Sequence, residues 1–339
     1  MSAAIEITEL LGDGIGPELE TSIGEMLAEL PLDFAVKKVD WSLERREAEG
    51  DAAMDEGVSA LQKSRLALKY PTVTAAISPN AILRRRCGFS VIYRPAISIP
   101  GVSSNFKEDV NVHIVRVATG GTYEDPGQFI GTHAAVSLRI VEREPCAHAA
   151  NFAFELARGQ GMSVTSSSKH TIQKVTDGLF ESVVSEVAQS YPYVEHRQEL
   201  FDALLGKIVV QPEMFEVVLV LNEYGDFLSD LASGMVGSLG TGASGNFAFD
   251  ASGRVHLAMF DPAHGTAPDI AGQDKANPAA MFLALSMLLQ HIGERELADR
   301  TQQAVLSAIG DKACTGDLGG TLGTTAFTRE VIDRFKQSE

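Results

Sequence analysis

The pattern of apolar and polar residues predicts an α/β unit at the start of the chain. Ile5 to Leu11 is a short apolar run that predicts a strand, and Gly12-Asp-Gly-Ile-Gly-Pro17 follows it as a glycine-rich turn. The next apolar residues recur at helical spacing, and Pro17 suits the first helical turn, where its missing N–H is not needed. These apolar residues are Leu19, Ile23, Met26, Leu27 and Leu30. Strand, turn and helix in this order are typical of an α/β fold.

The glycines of this turn allow two interpretations. Dinucleotide-binding folds hold a pyrophosphate at such a turn, but the spacing here is Gly-x-Gly-x-Gly rather than Gly-x-Gly-x-x-Gly. Tight packing of the strand against the helix explains the glycines without a ligand. We therefore favour the packing interpretation.

The rest of the chain continues the alternation of strands and helices. Apolar runs predict further strands at 34–39, 110–117, 208–211 and 217–221. Helical spacing predicts helices at 44–62, 171–189, 195–205, 279–290 and 297–309. Asn277-Pro278 predicts the start of the fourth of these helices, with Asn as the cap and Pro at the first position.

Composition excludes several classes of protein. The chain has 339 residues, of which 45% are apolar and 22% charged, so it is expected to fold as two closely packed domains rather than to be disordered or fibrous. There are 28 basic and 45 acidic residues, a net charge of −17, which disfavours nucleic acid as a partner. Any anionic ligand then requires a local cluster of arginines.

Cysteine usage and the chain start indicate the compartment. Cys87, Cys146 and Cys314 are widely spaced and odd in number, so neither a disulfide framework nor a structural zinc site is expected. The first residues lack the basic and apolar regions of a secretory signal. The most apolar stretch, 279–289, is shorter than the ~20 residues that cross a bilayer. These features predict a cytoplasmic protein with no membrane partner.

Arginines and aspartates form the first candidate site. Arg94 and Arg116 stand among apolar residues at predicted strands, where they can grip carboxylates through paired hydrogen bonds. Arg84 begins a run of three arginines, which by itself is more often a solvated face or a set of ion pairs. Asp226 and Asp230 follow the apolar strand at 217–221 and share one helix face. Two carboxylates at this spacing favour Mg²⁺ or Mn²⁺ over zinc, with helix capping as the alternative.

A loop of small residues forms the second candidate site. It runs from Asp261 through His264 and Asp269 to Asn277 and leads into a predicted helix. Its backbone N–H groups can approach a phosphate at the helix N-terminus. The carboxylate of Asp269 can accept from a ribose hydroxyl, and its charge would reject a 2′-phosphate.

Five segments together resemble the β-decarboxylating dehydrogenases, the family of isocitrate, homoisocitrate and 3-isopropylmalate dehydrogenases. They lie in the family's order at 12–18, 119–123, 222–234, 264–278 and 317–321. The resemblance implies two α/β domains with a central cleft. The large domain is expected at 1–89 and 237–339, and the smaller central domain, with a dimer-forming segment, at 90–236.

The resemblance also implies the catalytic residues. Tyr123 matches the tyrosine that protonates the enol after decarboxylation, and Lys169 matches the lysine that takes the substrate's hydroxyl proton. Three residues match the ligands of Mg²⁺ or Mn²⁺: Asp202, Asp226 and Asp230. In the family the lysine and the first of these aspartates come from the partner subunit, so a homodimer with shared active sites is expected.

Substrate and cofactor residues follow from the same resemblance. Arg84, Arg94 and Arg116 match the arginines that hold the malate-like carboxylates, and Ser78 and Asn80 match residues that hold a third carboxylate in isocitrate dehydrogenases. The expected cofactor residues are Thr72, Thr171, His264, Gly265, Thr266, Ala267, Asp269, Ile270 and Asn277. The Asp-Ile pair at 269–270 resembles NAD-dependent members.

Several positions depart from the pattern of ordinary isocitrate dehydrogenases. Thr119-Gly-Gly-Thr-Tyr123 is closer to the isopropylmalate type, Thr171 stands where an Asn is usual, and Val117 replaces an acidic residue. Conversion of isocitrate to 2-oxoglutarate and CO₂ is the expected reaction. Homoisocitrate, 3-isopropylmalate and a phosphonomethylmalate-type analogue remain alternative substrates, and a catalytically silent regulatory subunit is an alternative of another class.

Overall fold

A mixed sheet of ten strands forms the centre of the protein. The computed structural model describes residues 4–75, 78–99, 101–102, 110–237 and 242–338. The strands are β1 (Ile5–Leu11), β2 (Phe34–Asp40), β3 (Leu66–Lys69), β4 (Phe89–Ile97), β5 (Asn111–Val117), β6 (Gln128–Ile130), β7 (Ala134–Val136), β8 (Val164–Ser168), β9 (His196–Leu200), β10 (Val217–Val220), β11 (Ala243–Phe249) and β12 (Val255–Pro262). Their order in the sheet is β2-β1-β3-β12-β11-β4-β5-β10-β8-β9, while β6 and β7 pair as a separate hairpin.

Helices cover both faces of this sheet. They are α1 (Gly16–Glu29), α2 (Leu43–Glu49), α3 (Asp51–Ser64), α4 (Pro79–Cys87), α5 (Arg143–Gln160), α6 (Thr176–Ala188), α7 (Phe201–Val210), α8 (Asn222–Met235), α9 (Ala279–His291), α10 (Arg295–Gly310) and α11 (Thr324–Gln337). Short 3₁₀ turns cover Pro212–Met214 and Gly316–Leu318. The predicted α/β fold class is therefore confirmed.

The sheet divides between two parts of the chain. Five strands lie in 1–89 and 237–339, namely β1, β2, β3, β11 and β12. The other five strands of the sheet lie in 90–236, except for Phe89, the first residue of β4. Within each part the outer strands are parallel, and the two parts join through the antiparallel pair β4 and β11. This order supports the domain boundaries expected from the sequence, which stay a prediction because the sheet continues across them.

The apolar core leaves a gap on one face of the sheet. On one face a continuous cluster packs α1, α5, α6, α9, α10 and α11. On the other face, one cluster surrounds Trp41 and Leu83 next to α3 and α4, and a separate cluster surrounds Leu204 and Leu228 next to α7 and α8. We call the space between these two clusters, where a cavity is lined by Arg84, Tyr123 and Asn222, the cleft.

Close packing explains the glycines of the first turn. A side chain at Gly12 would collide with the backbone of Pro71, and one at Gly14 would collide with the backbone of Thr266. Gly14 also has a φ of +60°, a conformation that other residues rarely adopt. Ile15 N–H donates to Thr266 O at 2.9 Å. Close packing therefore requires these glycines, but the packing is against Pro71 and Thr266 rather than between the strand and the helix as predicted. The turn lies directly against the predicted cofactor loop.

The stretch 195–211 contradicts two sequence predictions. The predicted helix at 195–205 begins as strand β9, which pairs in parallel with β8 at the edge of the sheet. The predicted strand at 208–211 is the last turn of α7. Phe201, Leu204 and Ile208 are buried at helical spacing, so the apolar run at 208–210 continues a helix face rather than starting a strand.

Three helix boundaries also differ from prediction. The helix expected at 44–62 is broken into α2 and α3 at Gly50, which has a φ of +56°. The helix expected from residue 171 begins only at Thr176. Helix α9 begins at Ala279, and Asn277 Oδ1 accepts its first N–H at 2.9 Å, so the predicted Asn cap lies one residue further from the helix than expected.

All three cysteine side chains lie in the apolar core. Cys87, Cys146 and Cys314 are buried and free. Among the described residues, no helix combines the length and apolar character needed to cross a bilayer.

Candidate active site

Three of the predicted substrate residues converge on the cleft. Arg94 on β4 and Arg116 on β5 project from the same face of the sheet, toward α8. Arg84 reaches toward them from the last turn of α4. Its neighbour Arg85 is exposed, and Arg86 pairs with Asp55 at 2.5 Å. The run of three arginines therefore contributes one residue to the cleft.

Arg116 ties the sheet to α8. Its side chain is 2% exposed, and Nε and Nη2 donate to Asn222 Oδ1 at 3.0 and 2.8 Å. Nη1 donates to a carboxylate oxygen of Asp226. Any side chain at Gly225 would collide with the Arg116 side chain, so only glycine allows the helix to approach this closely.

Tyr123 and Arg94 meet the same carboxylate. Tyr123 Oη donates to Asp226 Oδ2 at 3.2 Å. Arg94 Nη1 lies 3.7 Å from Asp226 Oδ1 and donates to Ser229 Oγ at 2.8 Å. The structure thus brings the predicted proton donor, a predicted metal ligand and two predicted substrate arginines to one point.

Burial and neighbouring charges determine the protonation states of Tyr123, Asp226 and Arg116. Burial, and then the charge of Asp226, raise the pKa of Tyr123, so its hydroxyl keeps its proton at neutral pH. Burial alone would raise the pKa of Asp226, but the charge of Arg116 and its hydrogen bond outweigh it and lower the pKa below 3.8. Burial and the neighbouring Arg84 lower the pKa of Arg116 to about 10, which still leaves it charged.

The cleft holds polar atoms that have no partner within the described residues. The Nε atoms of Arg84 and Arg94 are buried and make no hydrogen bond, and neither does Asn80 Oδ1. Burial, and then the charge of Arg94, lower the pKa of Arg84. Three clustered guanidinium groups, two of which have an unused Nε–H donor, are chemically suited to an anion with several carboxylates.

Ser78 has a second role at the edge of this cluster. Its Oγ accepts from Ala81 N–H at 3.4 Å and so caps the N-terminus of α4, where Asn80 lies in the first turn. A helix N-terminus favours negative charge, and here it lies on the same short helix as Arg84. The position fits the third carboxylate predicted for this pair.

Two of the three predicted metal ligands lie on the same helix. Asp226 and Asp230 lie one turn apart on α8, with Asp230 exposed, and carboxylate oxygens suit Mg²⁺ or Mn²⁺. Among the described residues of one chain, no group of three His, Cys, Asp or Glu side chains is placed to hold a metal ion. Helix α8 carries two of the three predicted ligands, and the third, Asp202, lies on α7.

Lys169 and Asp202 lie together, apart from Asp226. Lys169 Nζ donates to Asp202 Oδ1 at 2.5 Å, and this pair is largely exposed. The hydrogen bond from Lys169 lowers the pKa of Asp202. Within the described residues, no hydrogen bond or ion pair connects either side chain to Tyr123 or Asp226. Their separation agrees with the expectation that a second chain supplies them.

The cofactor loop is fastened to the first turn and to α11. Glu18 accepts the N–H groups of Gly272 and Asp274 at 3.0 and 2.9 Å. The Asp274 carboxylate accepts from Thr325 N–H at 2.8 Å. Asn277 Nδ2 donates to Asp317 at 2.8 Å, so this predicted cofactor residue is also a structural link.

The side chain of His264 has one ring nitrogen bonded to the backbone and one without a partner within the described residues. Its Nδ1 lies 3.0 Å from Gly265 O and must donate to it, which leaves Nε2 as an acceptor. This Nε2 is buried and has no partner within the described residues. Burial lowers the pKa of His264, so the neutral ring can accept from an amino or hydroxyl group.

The remaining predicted cofactor residues differ in exposure. Asp269 and Thr171 are exposed, and Ile270 and Thr72 are half-buried. Gly265, Thr266 and Ala267 continue the loop from His264, and the φ of Ala267 is positive at 36°. These residues fit a dinucleotide in composition and placement, because they form a loop of small residues beside the glycine turn.

Comparison with known proteins identifies the family. The family described as Isocitrate/isopropylmalate dehydrogenase matches residues 6–335. The chain is 37% identical over 336 residues to isocitrate dehydrogenase [NAD] subunit 2, mitochondrial, of Kluyveromyces lactis, covering 95% of this chain and 88% of that protein. It is 33% identical over 341 residues to a mitochondrial regulatory subunit of NAD isocitrate dehydrogenase from Dictyostelium discoideum, covering 98% and 92%. The crystal structure of isocitrate dehydrogenase from Methylococcus capsulatus superposes with a TM-score of 0.86 at 32% identity, covering 98% of this chain and 99% of that one.

The chain belongs to the isocitrate/isopropylmalate dehydrogenase family. Membership confirms the predicted family, the fold and the class of enzyme, a decarboxylating dehydrogenase that acts on a CH–OH group. It also confirms NAD with Mg²⁺ or Mn²⁺ as the cofactors of the NAD-dependent members that this chain resembles. The residues that hold them in this chain stay predictions.

The comparisons bear on two predictions, the location of the protein and its assembly. The cytoplasmic location expected from the sequence is contradicted, because the curated relatives are mitochondrial subunits, which points to a mitochondrial rather than a cytoplasmic location. The same relatives are named as subunits, one of them as regulatory, so a homodimer is not established. A chain start without a secretory signal does not distinguish these compartments.

A buried ionisable pair that the sequence did not reveal lies near Arg84 and Arg94. Lys69, at the end of β3, is 2% exposed and donates to Tyr70 O at 3.1 Å, and burial lowers its pKa despite the nearby charge of Asp261. Burial raises the pKa of Asp261, which accepts from Asn246 at 3.1 Å. The available signal was a single lysine closing the apolar run Leu66-Ala-Leu-Lys69.

Proposed function

We propose that this chain catalyses the NAD-dependent oxidative decarboxylation of isocitrate to 2-oxoglutarate and CO₂. Membership of the family and the names of the curated relatives support the reaction. The observation that carries the proposal for this chain is the meeting of Arg94, Arg116 and Tyr123 at the carboxylate of Asp226.

Substrate binding is assigned to the arginine cluster. Arg84, Arg94 and Arg116 hold the two carboxylates of the malate unit, and the Nε–H groups of Arg84 and Arg94 have no other partner within the described residues. Ser78 and Asn80, at the start of α4, hold the third carboxylate. This assignment explains why a chain of net charge −17 can accept a tricarboxylate, since three cations are concentrated at one site.

Proton movement is assigned to two residues. Lys169 of a second chain would take the proton of the substrate's hydroxyl group. NAD, held at the loop that contains His264 and Asp269, would supply the acceptor for the hydride of the carbon that bears this hydroxyl. Tyr123 donates its proton to the carbon from which CO₂ has departed, and its raised pKa keeps that proton available at neutral pH. Asp226 orients the Tyr123 hydroxyl through their hydrogen bond.

The divalent ion is assigned to α8 and to a second chain. Asp226 and Asp230 would hold it from one chain, and Asp202 would complete the site from the other. When bound, the ion supplies Lewis-acid stabilisation of negative charge on the substrate oxygen. Asp226 is already ionised at neutral pH and needs no proton loss before it binds a cation.

We assign at least two chains to the active assembly. The hairpin of β6 and β7 projects apolar residues into solvent, with Phe129 84% exposed and Ile130 60% exposed. An exposed apolar hairpin of this kind is typical of a protein interface. A second chain is also what would bring Lys169 and Asp202 to Asp226.

The test is a substrate panel on the purified chain. NADH and CO₂ are measured together with isocitrate, homoisocitrate, 3-isopropylmalate and phosphonomethylmalate in the presence of Mn²⁺. We expect the highest kcat/KM with isocitrate, equal yields of the two products, and loss of both in Tyr123→Phe. Preference for another 3-substituted malate would overturn the substrate assignment.

A regulatory role is the second candidate. The likeness to the regulatory protein of Dictyostelium favours it. The presence of Tyr123, Lys169 and all three aspartates argues against it, since a chain that only binds substrate has no need of them. The absence of NADH formation by the pure chain, followed by its stimulation of a catalytic partner, would support this alternative instead.

A further inference from the structure

A cluster of polar side chains lies buried between β8 and α6, beneath the turn that carries Lys169. We call it the Glu181 cluster, and it consists of Ser166, Ser168, His170, Glu181 and His196. The two serines are fully buried, Glu181 is 5% exposed, and the two histidines are half-buried. Neighbouring residues of the same two elements, Val164, Phe180 and Val184, belong to the apolar core. A carboxyl group in such surroundings requires hydrogen-bond partners, because its burial otherwise lowers stability.

The hydrogen bonds of the cluster converge on the carboxyl group of Glu181. Ser166 Oγ donates to Oε2 at 2.7 Å, and Ser168 Oγ donates to Oε1 at 2.6 Å. A serine hydroxyl has a single proton, so each oxygen can only accept from the histidine beside it. His196 Nε2 lies 3.0 Å from Ser166 Oγ, and His170 Nδ1 lies 3.2 Å from Ser168 Oγ. Every donor in the cluster therefore points, directly or through a serine, at Glu181.

Two members of the cluster are the chain neighbours of Lys169. Ser168 precedes it as the last residue of β8, and His170 follows it. These two side chains are directed to Glu181 on α6, whereas the Lys169 side chain reaches Asp202 on α7. Helices α6 and α7 cover opposite faces of the sheet. Glu181 therefore anchors the chain on both sides of Lys169 and leaves the amino group on the other face.

Helix α6 holds the same turn at a second point. Asp177 lies one turn before Glu181 on the buried face of this helix, and its carboxylate accepts from the N–H of Lys169 at 2.8 Å. Asp177 thus fixes the backbone of Lys169, and Glu181 fixes the residues on either side. Because one helix holds all three positions, a rotation of the turn breaks at least one buried hydrogen bond.

Packing alone does not require this cluster. Apolar side chains of similar size could fill the space between β8 and α6, and such replacements of buried charged groups are often neutral or stabilising. Hydrogen bonds differ from apolar contacts because they depend on direction as well as distance. Directional bonds suit a group that must take a proton, since a misplacement of about 1 Å can lower a rate by about 10²-fold.

We propose that Glu181 is a positioning residue that directs the Lys169 side chain into the active site of the second chain. It acts through Ser168, His170 and the backbone between them. This role rests on the proposed function, in which Lys169 takes the hydroxyl proton of isocitrate.

Steady-state kinetics of two Glu181 variants measure this role. Glu181→Leu leaves both serine hydroxyls without their acceptor, so we expect kcat to fall by about tenfold or more, with each KM for isocitrate and NAD changed by less than about twofold. Glu181→Gln keeps a carbonyl acceptor and should restore kcat to within about threefold of the wild type. Unchanged kcat in Glu181→Leu, together with loss of NADH formation in Lys169→Ala, would overturn the positioning role alone.

Glu216 offers a matched control at the other end of β8. Its carboxylate accepts from the N–H and Oγ of Ser163 at 2.7 and 2.6 Å, directly before the strand. Glu216→Leu removes the same kind of hydrogen bond and should lower stability, but kcat should stay at the wild-type value because Lys169 follows the opposite end. Equal losses of kcat in Glu181→Leu and Glu216→Leu would show a merely structural effect and refute the proposal.

Hydrogen exchange in the full-length protein tests the positioning without using activity. The N–H groups of Ile172 and Gln173 donate to Lys169 O at 2.9 and 2.8 Å, so the turn is protected when it is held in place. We expect exchange at 169–173 to be faster by about tenfold in Glu181→Leu and unchanged in Glu216→Leu. Ser168→Ala should accelerate the same segment and decides the test if Glu181→Leu does not fold.

The two measurements separate the two proposals. A wild type that forms no NADH from isocitrate would overturn the proposed function, and exchange at 169–173 would then still decide whether Glu181 holds the turn. Unchanged exchange at 169–173 in both Glu181→Leu and Ser168→Ala would refute the positioning role, whatever the activity.

Discussion

The carboxylate of Asp177 accepts a hydrogen bond from the backbone N–H of Lys169 at 2.8 Å. Asp177 is fully buried and also accepts from Arg139 Nη2 at 2.9 Å and from Tyr224 Oη at 3.1 Å. Arg139 in turn pairs with Glu223 on α8. The turn that carries the proposed base is therefore held by the same buried network that fixes the helix of the proposed metal ligands.

Replacement of Asp177 tests how much this network contributes to the stability of the protein. In Asp177→Asn the charge of Arg139 loses one of its two buried partners, and we expect a loss of about 3 kcal/mol in the free energy of unfolding, measured by urea denaturation. The matched control is Glu186→Gln, which breaks the exposed pair with Arg143 and should cost less than about 1 kcal/mol. Equal effects in the two variants would contradict a central role for Asp177.

Two glycines of the first α/β unit should respond in opposite ways to alanine. Gly14→Ala places a side chain against Thr266 in a left-handed backbone, so we expect a loss of at least about 2 kcal/mol in stability and weaker NAD binding. Gly24 lies within α1 with open space around it, and Gly24→Ala should stabilise the protein by up to about 1 kcal/mol. Thermal unfolding and NAD titration measure both effects. A neutral Gly14→Ala would show that the turn does not constrain the cofactor loop.

A buried glutamate on α6 should make stability depend on pH. Burial raises the pKa of Glu181 above 4.5, although hydrogen bonds from Ser168 and Ser166 act in the opposite direction. The folded state then holds the proton more tightly than the unfolded state. The stabilising contribution is complete below pH 4.5 and is lost as the pH rises through the folded pKa, at up to about 1.4 kcal/mol per pH unit.

Glu181→Gln should remove this dependence. We expect the stability of the variant relative to the wild type to increase between pH 4.5 and the folded pKa, measured by denaturant unfolding at a series of pH values. Gly178→Ala on the same helix is the control, because it changes no ionisable group, so its difference in stability from the wild type should not vary with pH. A flat difference for Glu181→Gln would mean that burial does not perturb this carboxyl group.

Co-expression of two inactive variants tests the shared active site. Tyr123→Phe and Lys169→Ala should each lower kcat by about 10²-fold or more, because each removes a proton-transfer group. If the two groups come from different chains, mixed dimers contain one intact site, and about one quarter of the wild-type activity should return. The control pairs Tyr123→Phe with Asp226→Asn, whose residues lie in the same cleft of one chain and cannot complement each other.

The local sequence determined the first elements of this protein. Ile5–Leu11 is the predicted strand with its predicted bounds, because strand, glycine turn and amphipathic helix are each encoded by neighbouring residues. Asp226 and Asp230 follow the buried strand at 217–220 on one helix, as their spacing predicts. The motifs that carry the family resemblance are also short runs of neighbouring residues, so they can be recognised without the fold.

Only the tertiary structure decided which distant residues meet. The stretch at 196–200 is a strand because β8 offers it a parallel edge, although its own residues favoured a helix. The contact of Tyr123 with Asp226 and the hydrogen bond from Arg116 to Asn222 join segments that are far apart in the chain. Burial then sets their pKa values, and burial depends on packing against every other element rather than on sequence neighbours.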